Sequence, residues 1–349
     1  MPETGGYDST ASLFDLRHCR QSMHVFRSYY PKQGEMVNRD MQISVILCIY
    51  NGAKSLPTAL RSLLNLTVPK GLSWEVVLVN NNSTDDTGRI IEDFVGTSGL
   101  NAQALFEPRQ GRAFALNAGI RKARGEIIAF TDDDVIVDPQ WLVGLSNMFA
   151  TFECIAVAGR VKPLWDQPQP DWLEMEDQQV VGHFEYGERP IPINLPPIGA
   201  NSAFRRSAFE KYGLFRVELG VNKSEIGGTE DDEFGRRLLQ AGEKIMYAPD
   251  AIIHLPVESH RLTKDYFLRW FYSMGKANMR ARMWPQNAVC YFGVPRYLFG
   301  TAIRSSLRWA FTFDEKCRFQ HKLRVYRALG GIREGWCRSL RVQIEIPRI

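Results

Sequence analysis

Short, almost wholly apolar runs recur along the middle of the chain, and polar or helix-periodic stretches separate them. Ile43–Ile49, Trp74–Val79, Gln103–Phe106, Ile127–Phe130 and Ile155–Val161 are these runs. They read as strands, and Trp74–Val79 and Ile127–Phe130 as strands buried on both faces, as in a parallel sheet. The intervening stretches predict helices: Ser55–Leu66, with Pro57 tolerated in its first turn, Asp86–Val95, the Ala-rich Arg112–Arg124, and Gln140–Phe152 after Pro139. Ser83 or Thr84 is placed to cap the second helix, with acids in its first turn, and Gly125 to end the third. Strand and helix thus alternate over about 120 residues, at spacings that suit right-handed β-α-β crossovers. The expected fold is α/β, a doubly wound, mostly parallel sheet.

The alternation stops after Pro163. Residues 163–200 are rich in Pro, Trp and acids, including Trp165, Trp172, Glu174, Glu176 and Asp177, and so long a loop inside a domain is usually functional. Order restarts at Gly199–Phe204. Gly227-Gly228 then gives flexibility before Thr229-Glu230-Asp231-Asp232-Glu233-Phe234, which opens a helix running to Ala241-Gly242. Thr229 and Asp232 have the spacing of a loose capping box, so an acidic first turn also has a structural explanation. Strands are expected at Lys244–Tyr247 and Ala251–His254, a helix at Lys264–Met283, and an amphipathic or interfacial helix at Tyr291–Ala310, interrupted by Pro295. Residues 1–40, with few apolar clusters and with Pro2, Gly5, Gly6, Pro31 and Gly34, read as a partly ordered extension.

Composition adds bounds. At 349 residues and 44% hydrophobic content the chain has ample core for one large domain with an appendage. Its six cysteines, Cys48 among them in an apolar run, show no paired or zinc-type spacing and read as free thiols of a reducing, cytoplasmic compartment. Neither a signal-peptide core nor a bilayer-spanning apolar stretch is visible. The net charge of +4 hides an asymmetry: from Arg261 onward there are 18 Lys+Arg against 5 Asp+Glu, and the remainder carries 25 against 34. The basic tail interleaves Trp270, Phe271, Tyr272, Trp284, Tyr291, Phe292, Tyr297, Phe299, Trp309 and Phe311, which suits an anionic membrane surface or a nucleic acid. No recognised nucleic-acid motif accompanies it, so nucleic acid is not an expected partner. Three regions result: an extension to residue 40, a catalytic domain over 41–257, and a helical, basic region over 258–349.

Candidate chemistry centres on Asp132-Asp133-Asp134 at the end of the run Ile127–Thr131. Three adjacent anions are tolerable in a solvated turn or around a cation. Hard ions such as Mg²⁺ or Mn²⁺ take oxygen ligands and are commonly held by one or two carboxylates plus substrate phosphates. Ligands of open α/β sheets gather at the carboxyl ends of strands, which favours the cation.

Six segments then occur in a telling order: SVILCIYNG, VVLVNNNSTDDT, the strand ending in TDDD, GANSAFRR, GTEDDEFGRRLLQAGEKIMYAPDA and IIHLPV. From about Gln42 to Val257 the chain resembles family 2 glycosyltransferases of the GT-A fold, of the kind that builds bacterial cell-surface polysaccharide. The resemblance implies inverting, metal-dependent transfer of a sugar from a nucleotide-diphosphate donor to a hydroxyl of a polyprenyl-linked or growing glycan, with Mg²⁺ or Mn²⁺ as cofactor. It carries the metal to Asp134 and Asp132, with His254 as a further ligand or an ordinary strand-end histidine. It makes Asp231 the catalytic base and puts Glu230 beside acceptor or helix end. Tyr50, Asn51, Asn80, Asn81, Arg109, Arg112, Asp132 and Asp133 are the candidate donor-binding residues, the two arginines as phosphate contacts or as solvated charges. Many relatives have Asp where Asn80-Asn81-Asn82 stands and Arg-Asn where Leu116-Asn117 stands, so uridine is not implied. Processive relatives carry Q-x-x-R-W; here Tyr266 takes the Gln position before Arg269-Trp270, which favours single-sugar addition. The basic tail is expected to dock on the inner face of the cell membrane or to form a helical subdomain. A catalytically inactive scaffold in a polysaccharide assembly complex is the alternative, and donor hydrolysis separates the two.

Overall fold

A computed structural model describes residues 42–174, 180–220, 228–285 and 287–344. The extension expected over residues 1–40, Glu176 and Asp177 of the long loop, and Gly227 lie outside the described residues.

The first half follows the hydrophobic pattern closely. β1 (Gln42–Ile49) leads to α1 (Leu56–Leu64), β2 (Ser73–Asn80) to α2 (Thr87–Thr97), and β3 (Ala102–Phe106) to α3 (Arg112–Lys122). β4 (Ile127–Thr131) comes next, buried throughout, then a two-residue β5 (Ile136–Val137) and α4 (Trp141–Thr151). β6 (Ala156–Trp165), β7 (Ile191–Ile193), β8 (Asn201–Arg205), α5 (Arg206–Tyr212), α6 (Glu230–Gln240) and β9 (Ile245–Val257) complete the sheet-bearing part. The sheet order is β3-β2-β1-β4-β8-β6-β9-β5, with β7 on β9. β1 runs parallel to β2 and β4, β2 to β3, and β6 to β9. β8 enters antiparallel between β4 and β6. The core shows two-sided burial: Ile43, Val45, Ile46, Val76, Val77, Leu78, Ile127 and Ile128 have no exposed surface.

Where β6 meets β9 the register shifts between Gly159 and Arg160, leaving local backbone carbonyls without a ladder partner. Asn201 repairs this, its Nδ2 donating to the carbonyls of Arg160 and Ala251, both at 2.8 Å, while its Oδ1 accepts from Trp141 Nε1. The two strands expected at 244–247 and 251–254 are therefore one strand, β9, with Pro249 taken up in the irregularity.

Four local expectations are corrected. α2 begins at N-cap Asp86 with no side-chain cap, and Asp85 Oδ1 accepts from Thr87 N instead of Ser83 or Thr84 serving. α3 ends on Ala123 in extended conformation, ahead of Gly125. The capping box of Thr229 with Asp232 does not form: Thr229 makes no cap bond and Asp232 accepts from Arg236 at 3.1 Å. Finally, the helix expected over 291–310 starts later, because Cys290–Tyr291 (β10) and Val294–Pro295 (β11) form a hairpin whose turn residues Phe292 and Gly293 both have positive φ.

Beyond Val257 the chain is helical: α7 (Lys264–Ala281), α8 (Arg296–Phe311) and α9 (Glu315–Ile344). α7 and α9 cross at glycines. A Cβ at Gly275 would collide with the Arg327 carbonyl, and one at Gly330 with the Tyr272 carbonyl, so this backbone-to-backbone approach requires Gly on both helices. Among the described residues no helix is long and apolar enough to cross a membrane.

Candidate active site

The sheet's change of direction builds the site. β4 and β8 are antiparallel with Thr131 opposite Asn201, so the carboxyl end of β4 lies beside the loop that enters β8. Asp132-Asp133-Asp134 thereby neighbours Gly199, and α6 brings Glu230 and Asp231 to the same place: Gly199 N donates to Asp231 Oδ2 at 2.8 Å. A Cβ on Gly199 would stand 2.5 Å from that oxygen and 2.9 Å from Arg112 Nη2, so a side chain there would displace both groups. The second Asp231 oxygen accepts from Asp232 N at 2.8 Å.

Arg112, the first residue of α3, joins the two acidic segments. Its Nη2 donates to Asp132 Oδ1 and its Nη1 to Glu230 Oε1, both at 2.8 Å. Glu230 is 1% exposed, and its Oε2 has no hydrogen-bond partner among the described residues. Burial raises the Glu230 carboxyl above the usual range, opposed by Arg112 and reinforced by Asp231. Buried at the start of α6 and turned toward Arg112, Glu230 is an anchor for that arginine; of the two expected places, acceptor or helix end, this is the helix end. Arg112 in turn is held charged, with burial overcome by Asp132 and Glu230.

The other two members of the triplet differ. Asp133 lies against Gly52 of the loop after β1, and burial, together with Asp134 and Asp132, pushes its carboxyl up to about 7. Asp134 accepts from Arg261 Nη2 at 3.1 Å; burial and Asp132 raise its carboxyl while Arg261 pulls the other way. Arg261 Nε is buried without a partner among the described residues. Five carboxylates, Asp132, Asp133, Asp134, Glu230 and Asp231, thus converge on two guanidinium groups, an excess of hard-oxygen negative charge.

That donor set fits a divalent cation held by one or two carboxylates. Among the described residues no group of three or more His, Cys, Asp and Glu side chains stands ready to hold a metal, so His254 is not gathered with Asp132 and Asp134. It sits in β9 opposite Ile136, its Nε2 3.9 Å from Asp138 Oδ2.

The remaining candidates largely hold loops in place. Asn51, at φ +50°, donates its N–H to Ser83 Oγ at 3.0 Å and accepts from Thr84 N at 2.8 Å. Asn80 Oδ1 accepts from Ser83 N at 3.0 Å. Asn81 is buried; its Nδ2 donates to the carbonyls of Glu107 and Arg109 and its Oδ1 accepts from Gly111 N, which uses both donors and one lone pair of the amide. Arg109 forms a two-pronged pair with Glu107, at 2.8 and 2.7 Å, and lies over the Phe114 ring. Tyr50 is half-exposed at the end of β1. Asn117 is structural as well, bonding to the backbone of Phe215 in both directions. Sequence reasoning missed Gly199 and Arg261 as site residues; Gly199 stands in the GANSAFRR segment, and for Arg261 the only signal was a basic residue at the start of the tail.

Residues 44–213 match the profile described as Glycosyl transferase family 2. Over those residues the chain is similar to a family 2 glycosyltransferase domain. The succinoglycan biosynthesis protein ExoM of Rhizobium meliloti is 25% identical over 246 residues, covering 70% of this chain and 76% of that protein. The glucosyl-dolichyl phosphate glucuronosyltransferase of Haloferax volcanii is 24% identical over 253 residues, covering 70% and 79%. Among solved structures, the mannosyltransferase PcManGT of Pyrobaculum calidifontis, in complex with GDP-Man and Mn²⁺, superposes with TM-score 0.62 at 18% identity, covering 92% of this chain and 94% of that one. GalNAc-T7 with UDP, GalNAc and Mn²⁺ gives 0.53 at 16% identity, covering 88% and 58%. The likeness establishes the GT-A fold, with the matched region continued by the C-terminal helices.

Proposed function

We propose that this chain is an inverting, metal-dependent glycosyltransferase that moves one sugar from a nucleotide-diphosphate donor to a hydroxyl of a lipid-linked or growing cell-surface glycan. The observation that carries this reading is the convergence of Asp132 and Asp134 at the end of β4 with Asp231, through Arg112 and Gly199. Names of similar proteins support the parts: two fold neighbours are complexes containing a nucleotide and Mn²⁺, and relatives are named for polysaccharide or dolichyl-phosphate chemistry.

Asp132 and Asp134 are the residues that would hold Mg²⁺ or Mn²⁺, the rest of its shell coming from donor phosphate and water. The chemistry supplied there is charge neutralisation of the departing nucleoside diphosphate. Arg112 ties Asp132 to Glu230, and so the end of β4 to the start of α6. Asp231 accepts the acceptor's hydroxyl proton as the new bond forms. A carboxylate is too weak to ionise a sugar hydroxyl beforehand, but a positioned one contributes roughly 10²–10⁴-fold in the transition state. Two backbone N–H groups and, among the described residues, no salt bridge hold Asp231, so one lone-pair direction on each oxygen stays available. Direct attack needs one such base and no protein nucleophile, hence inversion.

The test is thermal stability with a panel of nucleoside diphosphates and NDP-sugars, with and without Mn²⁺, on wild type and Asp134→Ala. Ligand at about 100 times its Kd adds roughly 2.7 kcal/mol, a shift of several degrees for a chain of this size. A metal-dependent shift with one base, absent from Asp134→Ala, is the expected result. No shift with any donor favours the inactive scaffold.

A further inference from the structure

Helix α8 has two dissimilar sides. One packs inward: Leu298, Phe299 and Ala302 lie on the cluster of Met279, Val294 and Ile332, Ser305 is buried, and Trp309 sits under the Lys322 ammonium. On the opposite side Ile303, Leu307 and Phe311 follow one another at four-residue steps, 62%, 55% and 77% exposed. Residues four apart stack along one ridge of a helix. An adjoining ridge carries Arg296, Arg304 and Arg308, all exposed, and among the described residues no carboxylate pairs with them. Phe313 continues the apolar exposure just past the helix end. Scattered exposed apolar residues need no explanation, but a row of large ones beside a row of unpaired cations does.

Charge says what covers this face. Between Asp265 and Asp314 the chain has no acidic residue and seven basic ones. The complement is therefore apolar at depth and anionic at its rim. α8 is 16 residues long and studded with arginine, too short and too charged to cross a bilayer. A helix with Arg on one flank and Ile, Leu and Phe on the next lies in the plane of a lipid surface, the arginine stems reaching up to headgroup phosphates. We propose that α8 is an in-plane anchor for an anionic lipid surface, with Ile303, Leu307 and Phe311 inserted and Arg296, Arg304 and Arg308 on the phosphates. This does not rest on the transferase reading, since no residue of the candidate active site takes part. If the acceptor is lipid-linked, the anchor delivers the enzyme to it.

Flotation of the full chain with phosphatidylcholine vesicles, with or without phosphatidylglycerol, tests the idea with no donor present. Wild type is expected to float only with the anionic vesicles, and less as salt rises. Replacing all three arginines by Gln should weaken partitioning by roughly a hundredfold, about fivefold for each. The triple change Ile303→Ser, Leu307→Ser, Phe311→Ser should remove the binding that survives high salt. Both variants alter exposed side chains and should keep the wild-type thermal transition. Arg61→Gln, Lys70→Gln and Arg89→Gln together, equal in charge but exposed on the catalytic domain, should float like wild type. Binding indifferent to vesicle charge, equal loss in that control, or wild-type flotation of both α8 variants overturns the proposal. So does self-association through the same residues with vesicles ignored, which would make a second copy the occupant.

Discussion

Asp231 and Glu230 are chain neighbours with opposite fates, and the difference lies in what each oxygen touches. Glu230 turns inward to Arg112, while Asp231 is held by Gly199 N–H and Asp232 N–H at the side of the acidic triplet. Asp231→Asn removes the proton acceptor and keeps one of those two contacts, because the two N–H groups lie on separate oxygens and only one of these remains. Turnover should fall by roughly 10²–10⁴-fold with donor affinity unchanged, as measured by initial rates beside donor titration; near-normal turnover would exclude Asp231 as base. A second residue-scale case lies at the far end of the sheet. Glu75 accepts from Ser44 Oγ at 2.7 Å, from Arg124 N, Nε and Nη2, and from Gln103. Burial alone would raise its carboxyl, but the bonds from Arg124 and Ser44 outweigh that and hold it below the ordinary 4.5. With the folded value depressed, the unfolded chain binds more protons across that window. The stabilisation is therefore complete above the unfolded value and disappears as pH falls through the folded one. Glu75→Gln should cost about 2–3 kcal/mol at neutral pH, from charged hydrogen bonds lost, and the gap to wild type, followed in urea titrations, should narrow as pH falls below the ordinary carboxylate range.

Elements buried on both faces were readable in sequence because burial itself imposes the pattern. β1, β2 and β4 are filled mostly by apolar side chains, and the buried Ser44 is paired with Glu75. What depends on partners distant in sequence was not readable. β9 looked like two strands because Pro249 breaks the ladder, and only Asn201, nearly fifty residues earlier, shows how the irregularity is satisfied. The hairpin ahead of α8 was hidden because Phe292 takes a positive φ that its residue type does not advertise. In the site the two acidic clusters were plain, whereas the pairing was not: Arg112, read as a phosphate contact or a solvated charge, bridges both clusters from 20 and 118 residues away, and Arg261 reaches Asp134 from 127 residues away. The α7–α9 crossing belongs to this scale too. Gly→Ala inside a helix ordinarily gains about 1 kcal/mol of propensity. At Gly330 the added methyl meets the Tyr272 carbonyl, backbone that cannot swing aside. Overpacking of this kind costs roughly 1–3 kcal/mol, so Gly330→Ala should lower the thermal midpoint by a few degrees; a raised midpoint in calorimetry would show that the helices can part freely.

At the scale of the molecule, the helical region shares a core with the catalytic part. One cluster combines Leu173, Val180 and Val181 of the long loop, Val257 at the end of β9, Phe267, Leu268 and Phe271 of α7, and Phe319 and Leu323 of α9. Trp172 meets Phe267 and Phe319 edge-on at 5.0 and 5.2 Å, tying loop to both helices. The same continuity reaches the chemistry, because Arg261, the partner of Asp134, immediately precedes α7. A chain ending at Met283 would keep α7 and lose α9, uncovering Phe267, Leu268, Phe271 and Val181, all buried in the whole protein. At about 1.5–3 kcal/mol for each large apolar side chain, that exposure amounts to roughly 10 kcal/mol, comparable with the entire stability of an ordinary domain. The truncated chain should therefore aggregate or bind a hydrophobic dye, and the intact chain should unfold in one calorimetric transition that includes both regions. A soluble, monomeric truncation with the wild-type midpoint would mean instead that the catalytic part stands alone, and that Arg261 reaches Asp134 without help from the helices behind it.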